Sequence, residues 1–333
     1  MKKIVALLAI ALVLSGCSDA KETVENQTAN DVSTTDSLDD SFYRVVNFNT
    51  NLSREDYYTA FGNTMDFQTI GRELQILSTD HFSTNDYYMS EGQYLKTDDM
   101  NQLLKRSEDT SKYPYTLQAQ RGTTIGGVAN PIMVSTVHEQ DYYEKNGSEY
   151  VLKGLSLAIV LDPRDEKNER LDTSLDESLV VDFGREAISK LYKYLQSKKD
   201  LKDIPANICV YYATNTNESD INGRYILKSY CDGSVVNIET LDYKNYMFTS
   251  TEATAADEDT ASQFEIFKSN MKKAATEAVG VIGYGRYKNG QIQSMKINLK
   301  VNIKTYTELL YLISTAADVL NTHFSGFDIK VLV

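Results

Sequence analysis

An apolar run near the amino terminus limits which part of this chain can form a folded domain. Residues 4–14 read IVALLAIALVL, follow Lys2 and Lys3, and lead through LSGC to Cys17. A helix needs about 20 apolar residues to span a bilayer, whereas an export signal has a basic start and an apolar segment of about 7–15 residues. The sequence therefore predicts that residues 1–16 form a cleaved signal peptide and do not enter the fold.

A cysteine directly behind such a signal is typical of a bacterial lipobox, in which the thiol receives a diacylglyceryl group before the signal is removed. The sequence predicts that Cys17 becomes the lipidated first residue of the mature protein. The alternative is an ordinary export signal followed by a chance cysteine. Because two acyl chains anchor a protein stably, we expect the chain to be held at the extracytoplasmic face of the cell membrane without crossing it.

The charge of the mature chain argues against a nucleic-acid partner. Cleavage after residue 16 removes two lysines and no acidic residue, which leaves 32 basic against 47 acidic residues and a net charge of −15. Such a surface repels phosphate backbones and anionic lipid head groups. The 317 remaining residues are enough for one large or two ordinary domains, and the 41 % apolar content supports a sizeable core.

Residues 17–41 form the anchor and a predicted acidic, flexible tether. Behind Cys17 this segment has few apolar side chains and many Asp, Glu, Thr and Asn residues. A segment with so little apolar surface cannot offset the conformational entropy that it would lose on ordering. As a random coil of about 24 residues it would hold the folded part roughly 25–30 Å from the anchor.

The rest of the chain has the patterning of an α+β protein. Apolar residues recur at helical spacing within 67–77, 184–195, 263–278 and 305–320, and strand-like runs lie between these segments. The Asn-Gly pair at 289–290, between two alternating runs, is a strong hairpin signal. This order predicts helices packed on antiparallel or mixed sheets.

The folded part divides most simply at Asn146-Gly147, a turn pair between two patterned regions. We therefore predict an N-terminal α+β region, 42–146, and a C-terminal α+β region, 147–333. A βαββ-like order of elements recurs along the chain, so an internal duplication is one interpretation. No residue-level repeat supports it.

Several stretches of the mature chain are similar to one known family. They are FYRVVNF at 42–48, DYYMSEGQYL at 86–95, VSTVHEQDYY at 134–143, VLKGLSLAIVL at 151–161, the segment GREAISKLYKYLQSKKDLKDIPANICVYY at 184–212, and the C-terminal part from Gln263. Together they resemble the CamS family of Gram-positive lipoproteins, the sex-pheromone precursors. The resemblance implies an envelope lipoprotein whose cleaved signal peptide is trimmed to a short hydrophobic pheromone that enterococcal conjugation systems sense. It leaves the role of the mature domain undefined.

The heptapeptide that such processing would release is IALVLSG, residues 10–16. It is short, apolar and uncharged, as a peptide that crosses a membrane and enters a receptor groove should be. The family's named peptide carries a phenylalanine, and this stretch has no aromatic residue. Even one methylene in an apolar pocket is worth about 1–3 kcal/mol of discrimination, so a signal peptide that is simply degraded is the alternative.

Residue patterns for catalysis are sparse in this chain. The histidines, His81, His138 and His323, each stand alone, and none of the common metal, nucleophile or phosphate-loop motifs occurs. His138 beside Glu139 is the best candidate pair for acid–base chemistry, although a satisfied histidine on a patterned element explains it equally well. We therefore expect no cofactor, no metal and no catalytic centre, with an envelope enzyme that uses His138 and Glu139 as the alternative.

Tyrosine is the one residue type in excess, with 23 Tyr residues and no Trp. Amphipathic rings are useful at surfaces that bind glycans, peptides or proteins, and they also serve in packing at core edges. We expect the mature domain to be a binding module for an envelope ligand of one of these kinds. The first residues to examine are the pairs Tyr87 with Tyr88 and Tyr142 with Tyr143, together with His138.

Cys209 and Cys231 are the only thiols behind the anchor, and an even pair outside the membrane suggests a disulfide. Their predicted strands flank a polar loop centred near residue 220. The two cysteines are symmetric about that centre and would face each other in an antiparallel pairing. The alternative is two small buried apolar residues.

Overall fold

The structure, a computed structural model, describes residues 34, 37–61, 67–108, 111–169, 171, 175–213, 223–275, 277 and 279–333. The predicted signal peptide, Cys17 and most of the predicted tether lie outside the described residues. The helices are α1 (Leu52–Phe61), α2 (Phe67–Ser78), α3 (Thr97–Leu103), α4 (Glu177–Ser197), α5 (Thr251–Ala256), α6 (Glu258–Ala274) and α7 (Tyr306–His323). The strands are β1 (Arg44–Val45), β2 (Tyr88–Glu91), β3 (Thr124–Ile125), β4 (Val128–Ala129), β5 (Ile132–Asn146), β6 (Glu149–Arg164), β7 (Ala206–Tyr212), β8 (Arg224–Asp232), β9 (Ser234–Thr240), β10 (Tyr243–Phe248), β11 (Gly280–Lys288), β12 (Gln291–Lys300) and β13 (Asp328–Leu332).

The larger sheet has the strand order β1-β2-β5-β6-β7-β8-β9. The pairs β1/β2 and β6/β7 are parallel, and the other neighbours are antiparallel. The chain passes from β6 to β7 through α4, the type of crossover that parallel strands require. All of β7 is buried, as expected of a strand covered on both faces.

The longest pairing in this sheet is the hairpin of β5 and β6. Its register runs from Asn146 opposite Glu149 to Ile132 opposite Arg164. Gly147 and Ser148 form the turn of this hairpin, and Gly147 has a φ of +62°, where glycine is favoured. The proposed division into regions 42–146 and 147–333 therefore falls inside one sheet and one core, and it is not a domain boundary.

Helices cover both faces of the larger sheet. On one face α4 buries the predicted stripe that includes Ile188 and Leu191 in the same apolar cluster as Ile208 of β7. On the other face α2 buries Ile70 and Leu74 in a second cluster. Among the described residues, no helix combines the length and the apolar character needed to cross a membrane.

The smaller sheet has the order β10-β11-β12-β13 and its own apolar core under α5, α6 and α7. Phe264, Phe267 and Met271 of α6 are fully buried in this core. The predicted hairpin is present: β11 and β12 pair around Asn289 and Gly290, whose φ angles are +51° and +76°. Helices on mixed sheets confirm the predicted α+β class.

An internal duplication is not confirmed. The order strand, helix, strand, strand occurs as β6-α4-β7-β8 and again as β10-α5-α6-β11-β12. In the first unit the strands on either side of the helix are parallel. In the second they are antiparallel, so the two units connect their strands differently.

Polar contacts link the smaller sheet to the larger sheet and its helix α2. Arg286 of β11 forms an ion pair with Glu73 of α2, and both side chains are mostly buried, at 18 % and 13 % exposure. Burial lowers the pKa of the Arg286 guanidinium to about 10. Asn245 of β10 also donates its side-chain amide to the carbonyl of Gly223 at 3.1 Å.

Candidate functional site

A cavity of about 480 Å³ lies where the short strand β2 leaves the long strand β5. Four segments contribute its walls: the start of α1, the start of α2, the connection from β2 to α3, and the middle of β5. The lining residues are Asn51, Ser53, Arg54, Glu55, Phe67, Glu91, Gly92, Leu95, Met100, Thr136, Val137, His138 and Glu139. Apolar walls with a few convergent polar groups are typical of a small-ligand site, and such sites usually measure about 300–1,000 Å³.

The cavity exists because β2 is much shorter than its partner. β2 pairs only with residues 140–143 of β5, and the last contact of this pairing is Gly92 N–H to the carbonyl of Glu139 at 3.2 Å. A Cβ atom on Gly92 would lie 2.5 Å from Cβ of Glu139. Only glycine fits this close approach, after which the chain turns away toward α3.

Two buried carboxyl groups hold the connection from β2 to α3 in place. Glu139 and Asp141 are two residues apart on β5, so their side chains share one face of the sheet. Glu139 accepts the backbone N–H groups of Tyr94 and Leu95 at 3.1 and 2.9 Å. Asp141 accepts the N–H of Gln93 at 2.9 Å. Three consecutive amides of the connection thus end on this carboxyl pair.

Both members of the carboxyl pair have raised pKa values. Burial raises the pKa of Glu139, although the amide hydrogen bonds oppose this, and burial together with the neighbouring Glu139 raises the pKa of Asp141 well above its ordinary value. Asp141 Oδ1 is buried and receives no other donor among the described residues. A proton on that oxygen, donated to Glu139, would satisfy both groups. We therefore expect Asp141 to be the neutral acid of the pair and Glu139 the acceptor.

An ion pair stands at the rim of the cavity. Arg54 of α1 pairs with Glu91 at the end of β2, with about a quarter to a third of each side chain exposed. The start of α1 is fixed beside it, because Asn51 donates its amide to the carbonyls of Gly92 and Leu95 at 3.1 and 3.2 Å. The rim is therefore built on the same connection that the carboxyl pair holds.

His138 lies on the other face of β5 from Glu139, since neighbouring residues of a strand point to opposite faces. Its ring packs against α2, where a Cβ atom on Gly71 would lie 3.3 Å from Nε2. Burial, and secondarily the nearby Arg54, lower the pKa of His138 to about 4. The imidazole is thus neutral at physiological pH. The His138 and Glu139 side chains line one cavity without forming an acid–base pair in contact.

The tyrosine pairs do not form the accessible surface that the sequence suggested. Tyr88, Tyr142 and Tyr143 are buried, with at most 7 % of each side chain exposed. Tyr142 stacks on Phe82 at a ring distance of 4.7 Å, and only Tyr87 is half-exposed. These rings pack the edge of the larger sheet, which is the alternative that the sequence left open, and a binding role for the four tyrosines stays a prediction.

The predicted disulfide is not formed. Cys209 lies opposite Lys228 and Cys231 lies opposite Ala206 in the β7/β8 pairing. Each cysteine is thus three residues away from the position opposite the other cysteine. An odd shift moves a side chain to the other face of the sheet. Both cysteines are free and buried, and burial raises the pKa of each thiol.

Other places in the described residues carry less chemistry. A second cavity, of about 450 Å³, lies between the ends of α6 and β12 and the start of α7, and its titratable lining residues are Lys273, Glu277, Glu308 and Tyr311. In the described part of the chain, no three His, Cys, Asp or Glu side chains are grouped closely enough to hold a metal ion. The first cavity is therefore the candidate functional site.

A family model described as the CamS sex pheromone cAM373 precursor matches residues 48–333, which is most of the chain. The chain belongs to the CamS family. This agrees with the resemblance that the sequence motifs indicated, and it makes this protein a member of a pheromone-precursor family.

Solved CamS-type structures have the same fold. The crystal structure of a sex pheromone precursor from Lactobacillus salivarius is 22 % identical, with a TM-score of 0.78 over 90 % of this chain and 92 % of that one. The C-terminal domain of the sex pheromone staph-cAM373 precursor from Staphylococcus aureus is 20 % identical, with a TM-score of 0.63 over 78 % of this chain and 86 % of that one. No curated relative matches this chain.

Sequence reasoning found only part of this CamS site. It singled out His138 and Glu139 and missed Arg54, Glu91 and Asp141. The spacing of Glu139 and Asp141 was the available signal, because two carboxyl groups on one face of a buried strand need partners. Arg54 and Glu91 come together only through the tertiary fold.

Proposed function

We propose that this CamS protein is a lipid-anchored extracytoplasmic binding protein and that the cavity beside β5 is its ligand site. The lipobox ending at Cys17 supports the anchor. The domain role is supported by the cavity, which joins apolar walls to an ion pair, a neutral imidazole and a buried carboxyl. Such a combination orients a ligand by a few polar groups and holds it by apolar contact.

The arrangement favours binding over catalysis. A general base must reach a proton that it abstracts, and a nucleophile needs a base beside it. Glu139 is occupied by two backbone amides, and Ser53 donates its hydroxyl to Asn51 at 2.7 Å. His138 faces the opposite side of the strand from Glu139. An enzyme that uses His138 and Glu139 stays the alternative. Turnover of a substrate by the wild-type protein that is abolished in His138→Ala would support it.

A second function is supported by the family itself. Membership in a pheromone-precursor family supports processing of the signal peptide into the heptapeptide 10–16. Mass spectrometry of culture medium from the native host would detect IALVLSG or a trimmed form. Absence of both, with the lipoprotein present in the membrane fraction, would contradict this second function and leave the binding role unaffected.

The anchor is tested by comparing the wild-type protein with Cys17→Ser in the native host. We expect the wild-type protein in the membrane fraction, with two acyl chains on the mature amino terminus by mass spectrometry, and the variant without them. Cys209→Ser, which changes a buried thiol far from the signal, is the control and should stay in the membrane fraction. An unacylated wild-type protein in the medium would contradict the anchor.

The binding role is tested with a reporter that the composition makes simple. The chain has no Trp, so Phe67→Trp places a single indole in the cavity wall. The probes are N-acetylglucosamine oligomers and a degenerate tripeptide library, and at least one class should change the emission saturably. Tyr306→Trp, at a position 76 % exposed on α7, is the control and should not respond. Unchanged emission of Phe67→Trp with both probe classes would refute the binding role.

A further inference from the structure

We propose that the open edge of β5 inside the cavity pairs with the main chain of a short, extended, positively charged peptide. This inference rests on the proposed binding function, because it names the ligand class of the same cavity. Adding a strand to an exposed sheet edge is a general mode of peptide recognition: main-chain hydrogen bonds give affinity, and flanking pockets give specificity.

The edge is open because β2 ends early. In an antiparallel pair, alternate residues direct their N–H and C=O groups toward the same neighbour. The carbonyl of Glu139 accepts from Gly92, on the β2 side. Val137, two residues earlier, therefore directs its own N–H and C=O to that side, where β2 no longer runs and the cavity begins.

The pairing on the far side of β5 leads to the same assignment. The N–H of Leu155 in β6 donates to the carbonyl of Pro205 at 3.0 Å. It therefore points toward β7 and away from β5. Leu155 is opposite Asp141, and Ile159 is opposite Val137, four residues along the same ladder. Val137 thus directs its main chain away from β6. Outside the strand pairing, no backbone bond to Val137 is present among the described residues.

The neighbouring part of this edge is already covered by a side chain that imitates a strand. Gln118 accepts from the N–H groups of Met133 and Val134 at 3.1 and 3.2 Å and donates to the carbonyl of Val134 at 2.6 Å. Covering an edge in this way is a common protection against unwanted pairing. The cover stops at Val134, and the cavity lies over the next stretch, residues 136–139.

The charges around the cavity favour a cationic ligand. Its lining contains three carboxyl groups, on Glu55, Glu91 and Glu139, against the single guanidinium of Arg54. The neutral His138 adds no positive charge. A free amino terminus or a lysine side chain fits this balance, and the apolar walls suit small aliphatic side chains on either side of it.

The test uses the mature chain, residues 17–333, with Cys17→Ser to prevent acylation. The probes are a degenerate tripeptide amide library with free amino termini and a matched library in which the second backbone nitrogen is methylated. Methylation removes a main-chain donor and leaves the side chains unchanged. We expect the first library to shift the NMR signal of the Val137 amide and to slow its hydrogen exchange, and the methylated library to bind at least tenfold more weakly.

Three outcomes would overturn the inference in distinguishable ways. Equal binding of both libraries would mean that side chains alone hold the peptide. Binding of N-acetylglucosamine oligomers with no effect of peptides on residues 136–139 would leave the cavity as a ligand site of another class. Failure of every probe would refute the proposed function as well.

The charge preference has its own pair of variants. Glu55→Gln should weaken binding of the free-amine library a few-fold and leave its acetylated counterpart unchanged, as expected for an exposed charge at a rim. Glu186→Gln, at an exposed position on α4, is the matched control and should have no effect. Tighter binding of the acetylated library would overturn the cationic preference.

Discussion

Replacing Glu139 or Asp141 of the carboxyl pair on β5 by its amide should change the stability of the protein by different amounts. Asp141→Asn keeps an oxygen for Gln93 and offers an N–H to Glu139, as the neutral acid does. Glu139→Gln turns an NH₂ group toward the amides of Tyr94 or Leu95. We expect little change for Asp141→Asn and a loss of about 1–3 kcal/mol in the free energy of unfolding for Glu139→Gln, measured by urea unfolding at pH 7. Equal losses would contradict the proton assignment.

The same pair predicts how stability depends on pH. The folded-state pKa values of Glu139 and Asp141 are raised, so the folded chain binds more protons than the unfolded chain above the ordinary carboxyl pKa of about 4. Stability from this pair is therefore full at low pH and falls as pH rises through the raised values. The free energy of unfolding of Asp141→Asn should lie below that of the wild type by a larger amount at pH 5 than at pH 8. Parallel profiles would contradict a shared proton.

Gly154 has no room for a side chain. It lies opposite Tyr142 on the β5/β6 hairpin, and a Cβ atom would lie 2.1 Å from the ring of Phe82. Gly154→Ala should lower the free energy of unfolding by about 1–3 kcal/mol through overpacking. The cost should be smaller in a Phe82→Leu background, where the ring is absent, and a double-mutant cycle measures the difference. A cost independent of residue 82 would refute the overpacking explanation.

At the level of elements, the register of β7 and β8 decides the state of the thiols. Cys209 and Cys231 face different apolar clusters on opposite sides of the sheet. Titration of unreduced, denatured Cys17→Ser protein should therefore find two free thiols. The same Cys17→Ser protein treated with reductant serves as the reference. A result of no free thiol would mean that the register differs from the one described.

The sequence predicted elements well where one face alone is apolar. The stripes of α2, α4 and α6 and the Asn-Gly hairpin are present as expected. The extent of β5 is not visible in the pattern, because Glu139, Gln140 and Asp141 interrupt its apolar residues although all three are buried. Glu139 of this polar stretch is also part of the cavity wall. Local pattern therefore failed at the site itself, where polar groups are satisfied by distant segments.

At the level of the whole molecule, the ion pair between Glu73 and Arg286 couples the two sheets. Glu73→Gln leaves a mostly buried guanidinium without its partner and should lower the free energy of unfolding by about 3 kcal/mol. It should also separate the unfolding of the two cores, seen as two transitions in calorimetry. Glu73→Gln with Arg286→Met should recover part of the loss. A single unshifted transition in Glu73→Gln would show that the pair couples nothing.

The boundary between the two apolar cores could not be predicted from the sequence, and the reason is physical. Asn146-Gly147 and Asn289-Gly290 are the same dipeptide signal, and a hairpin lies at each. A turn signal alone does not tell whether the segments that it joins share a core. The two apolar cores separate instead between β9 and β10, where only Leu241 and Asp242 join the two strands and give no marked change in pattern.

The early end of β2 also has a consequence for how the chain is made. β1 and β2 are synthesised before β5, the strand on which their place in the sheet depends. The β5/β6 hairpin pairs residues close in sequence, so it is the first large piece of sheet that can close on a growing chain. A chain halted before residue 164 has α2 without the complete sheet face on which it packs. Truncated products of synthesis would then carry no cavity, and only chains past the hairpin present a site.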